Sequence, residues 1–121
     1  MGQAVVHFEV IGKDGDKLRA FYGELFDWQL EQAPGMDYTM INVGEGTGGG
    51  IFNTAGMPVP PSWLAYVGVD DVEAYTEKAK SLGAEVMAGP KQVGEMGKLT
   101  IFKDPVGAVF AIWQGGCTEG K

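Results

Sequence analysis

The chain states one pattern twice. His7 to Asp14, HFEVIGKD, lays over Trp63 to Asp70, WLAYVGVD, with Gly12 against Gly68 and Asp14 against Asp70. Both are β-type runs that close at a polar break, and a helical pattern follows each. In the first half Leu18, Phe21, Tyr22, Leu25 and Phe26 recur at i, i+3, i+4, i+7 and i+8, which puts five apolar groups on one stripe. Asp16 is the expected N-cap. In the second half Val72, Tyr75, Ala79 and Leu82 make the stripe. Asp70 and Glu73 have capping-box spacing, with Asp in place of the usual Ser or Thr, and Gly83 ends the helix as a residue that tolerates a left-handed turn. The helix stripes match at a slightly different offset from the strands, so the loops between them differ in length.

Strand-like pieces follow each helix: Trp28 to Gln32, Tyr38 to Val43 and Gly49 to Asn53, then Ala84 to Ala88, Gly97 to Lys103 and Ala108 to Trp113. APGMD and DPVG supply turns, with Pro where a turn prefers it. TAGMPVPP, with its three prolines, reads as an extended linker. The order is βαβββ, linker, βαβββ, a repeat of about 55 residues. Module one spans 1–53, the linker 54–61, module two 62–114 and a flexible tail 115–121. A sheet with a helix on one face leaves its other face apolar and uncovered, and two copies set edge to edge cover it by curling those faces together. The expected fold is α+β: two tandem βαβββ modules forming a curved, partly closed eight-stranded mixed sheet around a cleft, with the helices outside.

The 121 residues, 45% of them hydrophobic, suffice for one domain with a real core. No run approaches the ~20 apolar residues of a membrane span. MGQAVVHFEV lacks the features of a secretory signal, and Val6 stands where a myristoylation signal needs Ser or Thr. The single cysteine, Cys117, forms no internal disulfide, so a cytoplasmic location is expected. Nine basic against sixteen acidic residues give a net charge of −7. Such a surface repels nucleic acid and anionic membrane, keeps a protein soluble, and attracts a cationic small molecule.

HFEV at the start, RAFYGELFDW in the first helix, GGGIF closing the first half, WLAYVGVDDVEA opening the second and DPVGAVFAIWQ at its end come in a telling order. Together they cover nearly the whole chain, which resembles the vicinal oxygen chelate superfamily: glyoxalase I, extradiol dioxygenases and bleomycin-resistance proteins, here in a bacterial glyoxalase-like branch. In its metal-using members the ligands come from the first and last strands of each module, where hard oxygen and imidazole donors hold a divalent cation that polarises substrate oxygens. By that resemblance His7 matches a ligand position. The acid expected on the last strand of module one falls at Gly50. Trp63 stands opposite His7, or Leu64 if the alignment slips by one, and the last strand presents Ala111. One of four ligands survives, so no cofactor is expected. A divalent metal would need a relocated site built from His7, Glu9 and a loop acid among Asp37, Glu45 and Glu95.

Apolar bulk fills the other positions. Trp63, Phe52, Tyr38, Phe102, Ala111 and Trp113 are the residues expected to border the cleft beside His7, and an aromatic lining suits planar guests. Trp28, Phe21 and Tyr22 read as core. VGEGTGGGIF fits neither a Walker loop nor a dinucleotide fingerprint and reads as a loop entering a closely packed strand. Asp70 and Asp71 suit helix entry, and one histidine with few serines builds no Ser-His-Asp triad. Two functions remain open. One is metal-free binding of a small aromatic or cationic organic molecule in an apolar cleft. The other is a lyase, isomerase or dioxygenase-type enzyme using relocated metal ligands or His7 as general base, with Glu9 beside it. An assembly subunit is a more distant third. The resemblance implies a homodimer in each case.

Overall fold

A computed structural model describes residues 2–33, 38–54, 59–93 and 95–115. Asp37 with most of the expected APGMD turn, half of the expected linker (55–58), and residues 116–121 of the expected tail, Cys117 among them, lie outside the described residues. The elements run β1 (Val5–Gly12), α1 (Gly15–Phe26), β2 (Gln29–Gln32), β3 (Tyr38–Asn42), β4 (Gly49–Asn53), β5 (Ser62–Gly68), α2 (Val72–Ser81), β6 (Glu85–Val93), β7 (Gly97–Lys103) and β8 (Val109–Gly115). This is the α+β order expected from the repeat. Strand ends agree to within two residues except in β6, which continues to Val93. The turn-like Gly89-Pro90 is absorbed by register shifts between Val86 and Ala88 and between Ala88 and Lys91.

The chain divides into two compact units, one of His7–Leu64, the other of residues through Val6 together with Ala65 onward. In the first, β2, β3, β4 and β1 neighbour one another in that order, with β1 parallel to β4 and the other pairs antiparallel. Val10, Ile41 and Ile51 form its buried core, and Phe8, Leu18, Tyr22, Trp28 and Leu30 pack against it. Leu18 and Tyr22 thus seat α1 on the sheet, whereas Phe21, Leu25 and Phe26 are 57%, 56% and 49% exposed. The apolar stripe is wider than the surface it covers.

Asp14, not Asp16, caps α1: its carboxylate accepts from the backbone N–H of Lys17 at 3.1 Å. Asp16 already lies in the first turn, where it pairs with Arg19. In the second half the cap moves the other way, by one residue. Asp71, not Asp70, accepts from the N–H of Ala74 at 3.1 Å and caps α2. Two adjacent acids at a helix entry leave the choice to where the strand ends. Gly83 takes φ +105° just beyond the helix, as expected.

In the second unit the order is β5, β8, β7, β6, with β5 parallel to β8 and the rest antiparallel. Val69, Val72, Phe102 and Ile112 make its core, joined by Tyr75, Ala79, Val86 and Phe110. Phe102 and Phe110 stack at 5.1 Å. The buried Thr76 hydroxyl bonds the Val72 carbonyl at 2.6 Å and lies 2.9 Å from that of Thr100, so the polar atoms under α2 are satisfied. The carbonyl of Ala4 accepts from the N–H of Gly68 at 2.9 Å. In the DPVG turn the Asp104 carboxylate accepts from the N–H groups of Val106, Gly107 and Ala108.

Candidate functional site

Strand side chains alternate between faces. On β1, Phe8 and Val10 lie under α1, so His7, Glu9 and Ile11 take the opposite face. On β3 and β4 the core residues Ile41 and Ile51 fix the parity, which puts Tyr38, Met40, Gly50 and Phe52 on the face of His7. Across the strands, Glu9 pairs with Gly50 and Gly50 with Met40. In the next row Ile11 pairs with Phe52 and Phe52 with Tyr38.

Tyr38 does not stay in its own row. A Cβ added to Gly50 would overlap the Tyr38 hydroxyl and ring, so the phenol occupies the space that any larger residue at 50 would fill. From there the hydroxyl lies 2.8 Å from His7 Nε2. The Glu9 carboxylate is 3.7 Å from the same nitrogen. Burial, then the charge of Glu9 and the hydrogen bond to it, raise the Tyr38 pKa far above the ordinary tyrosine value. The hydroxyl therefore keeps its proton. Glu9 is buried and the His7 side chain is 32% exposed, so one end of this polar trio reaches the surface.

The structure thus gathers His7, Glu9, Tyr38, Gly50 and Phe52 on one sheet face, with the Tyr38 and Phe52 rings 6.3 Å apart. Trp63 is not among them. It stacks on Phe8 at 5.3 Å, and its indole N–H donates to the Tyr22 hydroxyl at 3.0 Å, in the aromatic cluster on the helix side that also holds Trp28. Leu64, fully buried, has the opposite parity, so the one-residue slip is the alignment that matches faces. Phe102 lies in the core under α2 rather than on the face turned away from it. Ala111 and Trp113 do take the second unit's face away from α2, where Tyr66 pairs with Ala111 and stands edge-on to Trp113 at 6.4 Å.

The positions implied for a divalent metal offer poor chemistry for one. Gly50, Leu64 and Ala111 carry no donor, and the indole of Trp63 donates without accepting. Glu45 and Glu95 are exposed loop residues, and among the described residues no group of three or more His, Cys, Asp or Glu side chains gathers around a point. These residues do not fit a chelated cation. Tyr38 as the partner of His7 was missed in the sequence. The available signal was Gly50 itself, since glycine inside a strand marks a place where something approaches closely.

A paired βαβββ fold with a polar trio on one module defines a class of protein rather than a reaction. Residues 4–112 match the Glyoxalase/Bleomycin resistance protein/Dioxygenase superfamily, and the chain belongs to that family. It is 39% identical over 62 residues to the anthracycline biosynthesis protein DnrV of Streptomyces peucetius, covering 51% of this chain and 22% of that one. It is 32% identical over 111 residues to CFP32 of Mycobacterium tuberculosis, covering 84% and 41%. The chain therefore spans less than half the length of these relatives. Among solved structures, the fold is similar to Streptomyces coelicolor methylmalonyl-CoA epimerase, with a TM-score of 0.66, 14% identity and coverage of 98% and 99%. Among the described residues no helix is long and apolar enough to cross a membrane.

Proposed function

We propose that this protein binds a small organic molecule bearing an aromatic ring and a cationic group, without a metal, on the His7 face of its first module. The observation that carries this reading is the polar trio of His7, Tyr38 and Glu9, with Tyr38 2.8 Å and Glu9 3.7 Å from His7 Nε2, set among Ile11, Phe52 and Met40. The apolar side chains supply area burial and ring contact, and the trio supplies orientation and negative charge. The net charge of −7 draws a cation toward the molecule before any contact forms.

A series with one ring and three charges tests this: 2-phenylethylamine, 2-phenylethanol and phenylacetate, each titrated by NMR against labelled protein. The amine is expected to bind tightest, by about tenfold over the alcohol, the worth of one charge-assisted hydrogen bond, and to shift the resonances of His7 and Met40. Equal binding of the anion, or shifts confined to other residues, would contradict the reading.

A second reading is favoured by the contact between His7 and Glu9: a cofactor-free enzyme with His7 as general base, its positive form stabilised by the carboxylate 3.7 Å away. The homodimer expected from the resemblance is supported by the half-exposed Phe21, Leu25 and Phe26 of α1. Sedimentation equilibrium with Phe21→Ser tests it, a monomer being the expected result.

A further inference from the structure

The cross-strand row of Glu9, Gly50 and Met40 continues onto a fourth strand, where Met40 pairs with Glu31 of β2. Leu30 packs into the core beneath α1, so its neighbours Gln29 and Glu31 take the face of His7. The row therefore has a carboxylate at each end and none between. Three strand spacings, about 14 Å, separate the two backbones. Its middle is apolar: Met40 is 37% exposed, and the Tyr38 ring fills the gap at Gly50.

The Glu31 end of the row is hollow. Gln29, Glu31, Met40 and Asn42, with Gly44 and Gly48, border a cavity of about 490 Å³, a volume in the range of small-molecule sites. The Asn42 side-chain oxygen accepts from the backbone N–H of Gly44 at 2.8 Å, which ties the glycine-rich loop to the strand at the cavity's rim. A carboxylate only accepts hydrogen bonds, so a guest must bring a donor to Glu31. We infer that the molecule bound on this face is an elongated dication. Its ring and first protonated amine lie at His7 and Glu9, an apolar linker crosses Tyr38 and Met40, and a second protonated amine enters the cavity beside Glu31. This rests on the binding face assigned above and deepens it by naming the guest's length, its second charge and the residue that meets that charge. An exposed ion pair alone contributes little, but joining it to a group already held at His7 makes the second contact intramolecular.

Two compounds that differ only at the far end test it: N-benzyl-1,8-octanediamine and N-benzyloctylamine. Each is titrated by calorimetry against wild type, Glu31→Gln and Glu24→Gln, with the His7 resonances followed by NMR. Glu24→Gln removes one exposed charge from α1, on the other side of the sheet. The diamine is expected to bind wild type about fivefold more tightly than the monoamine, the upper range for an exposed ion pair. Glu31→Gln is expected to bring the two compounds within about twofold of each other, whereas Glu24→Gln keeps the difference. Equal affinities in wild type, a difference that survives Glu31→Gln, or one lost to the same extent in Glu24→Gln would overturn the inference. The binding reading fails in another way, with neither compound moving the His7 resonances; failure of this inference alone leaves both compounds moving them, with no dependence on Glu31.

Discussion

The two modules carry matching rows across three strands, each on the face turned away from its own helix. In the first the row is Glu9, Gly50 and Met40; in the second it is Tyr66, Ala111 and Ile101. The backbones are built alike, yet one row holds a carboxylate and a gap, the other a ring and a methyl. In the second row Tyr66 is 1% exposed, Ala111 0% and Ile101 5%, so the space is filled. In the first the gap at Gly50 is occupied from the side by Tyr38, which carries a polar atom to His7 and Glu9. Removing one side chain from a strand thus recruits a neighbour's functional group, whereas shrinking it to a methyl only closes the packing.

The largest expected effect comes from breaking the closed row. Ala111→Glu places a carboxylate at a position with no exposure, opposite Tyr66 and Ile101. It is expected to cost more than about 4 kcal/mol, since a buried charge without a partner is among the most damaging changes known. Urea unfolding measures it, and a cost under about 1 kcal/mol would mean that this row is open. Gly50→Ala sharpens the same contrast at the matching position. Its methyl must displace the Tyr38 ring, with an expected cost of about 1–3 kcal/mol from overpacking, and the His7 resonances should move with it. Tolerance without any change at His7 would remove Gly50 from the account.

The fold was legible because a repeat of strand and helix periods fixes element order without reference to distant contacts. The DPVG turn and the Gly83 terminator were legible for the same local reason. The helix caps were not, because Asp14 and Asp16, like Asp70 and Asp71, differ only in where the preceding strand lets go. The site was legible in part. His7 and Glu9 share a face by simple alternation, but the bond from His7 to Tyr38 spans 31 residues of chain and depends on what Gly50 lacks. The choice between Trp63 and Leu64 was not legible, because a one-residue slip in aligning two strands reverses every side chain.

Two smaller effects follow from the titrating groups. The Tyr38 pKa is raised, so the folded state holds that proton longer than the unfolded chain does. Its contribution to stability is complete below the ordinary tyrosine pKa and is lost as pH rises from there toward the folded value. An alkaline difference spectrum should show a late phenol that Tyr38→Phe removes. Asp104 is shifted the other way, chiefly by the N–H groups of Ala108 and Val106. Its contribution is present above the ordinary carboxylate range and is lost as pH falls through the lowered folded value. The difference in melting temperature between wild type and Asp104→Asn should therefore narrow on acidification. A difference that widens would contradict the turn's geometry.

The most direct test of the central claim, that recognition resides in the polar trio of the first module, is the affinity for 2-phenylethylamine of three proteins measured side by side by calorimetry. Relative to wild type, His7→Ala is expected to bind at least about tenfold more weakly, the worth of a charge-assisted hydrogen bond, while Trp113→Phe on the second module's face stays within about twofold, a ring being kept for a ring. Equal losses in both variants, or an undiminished affinity in His7→Ala, would contradict it.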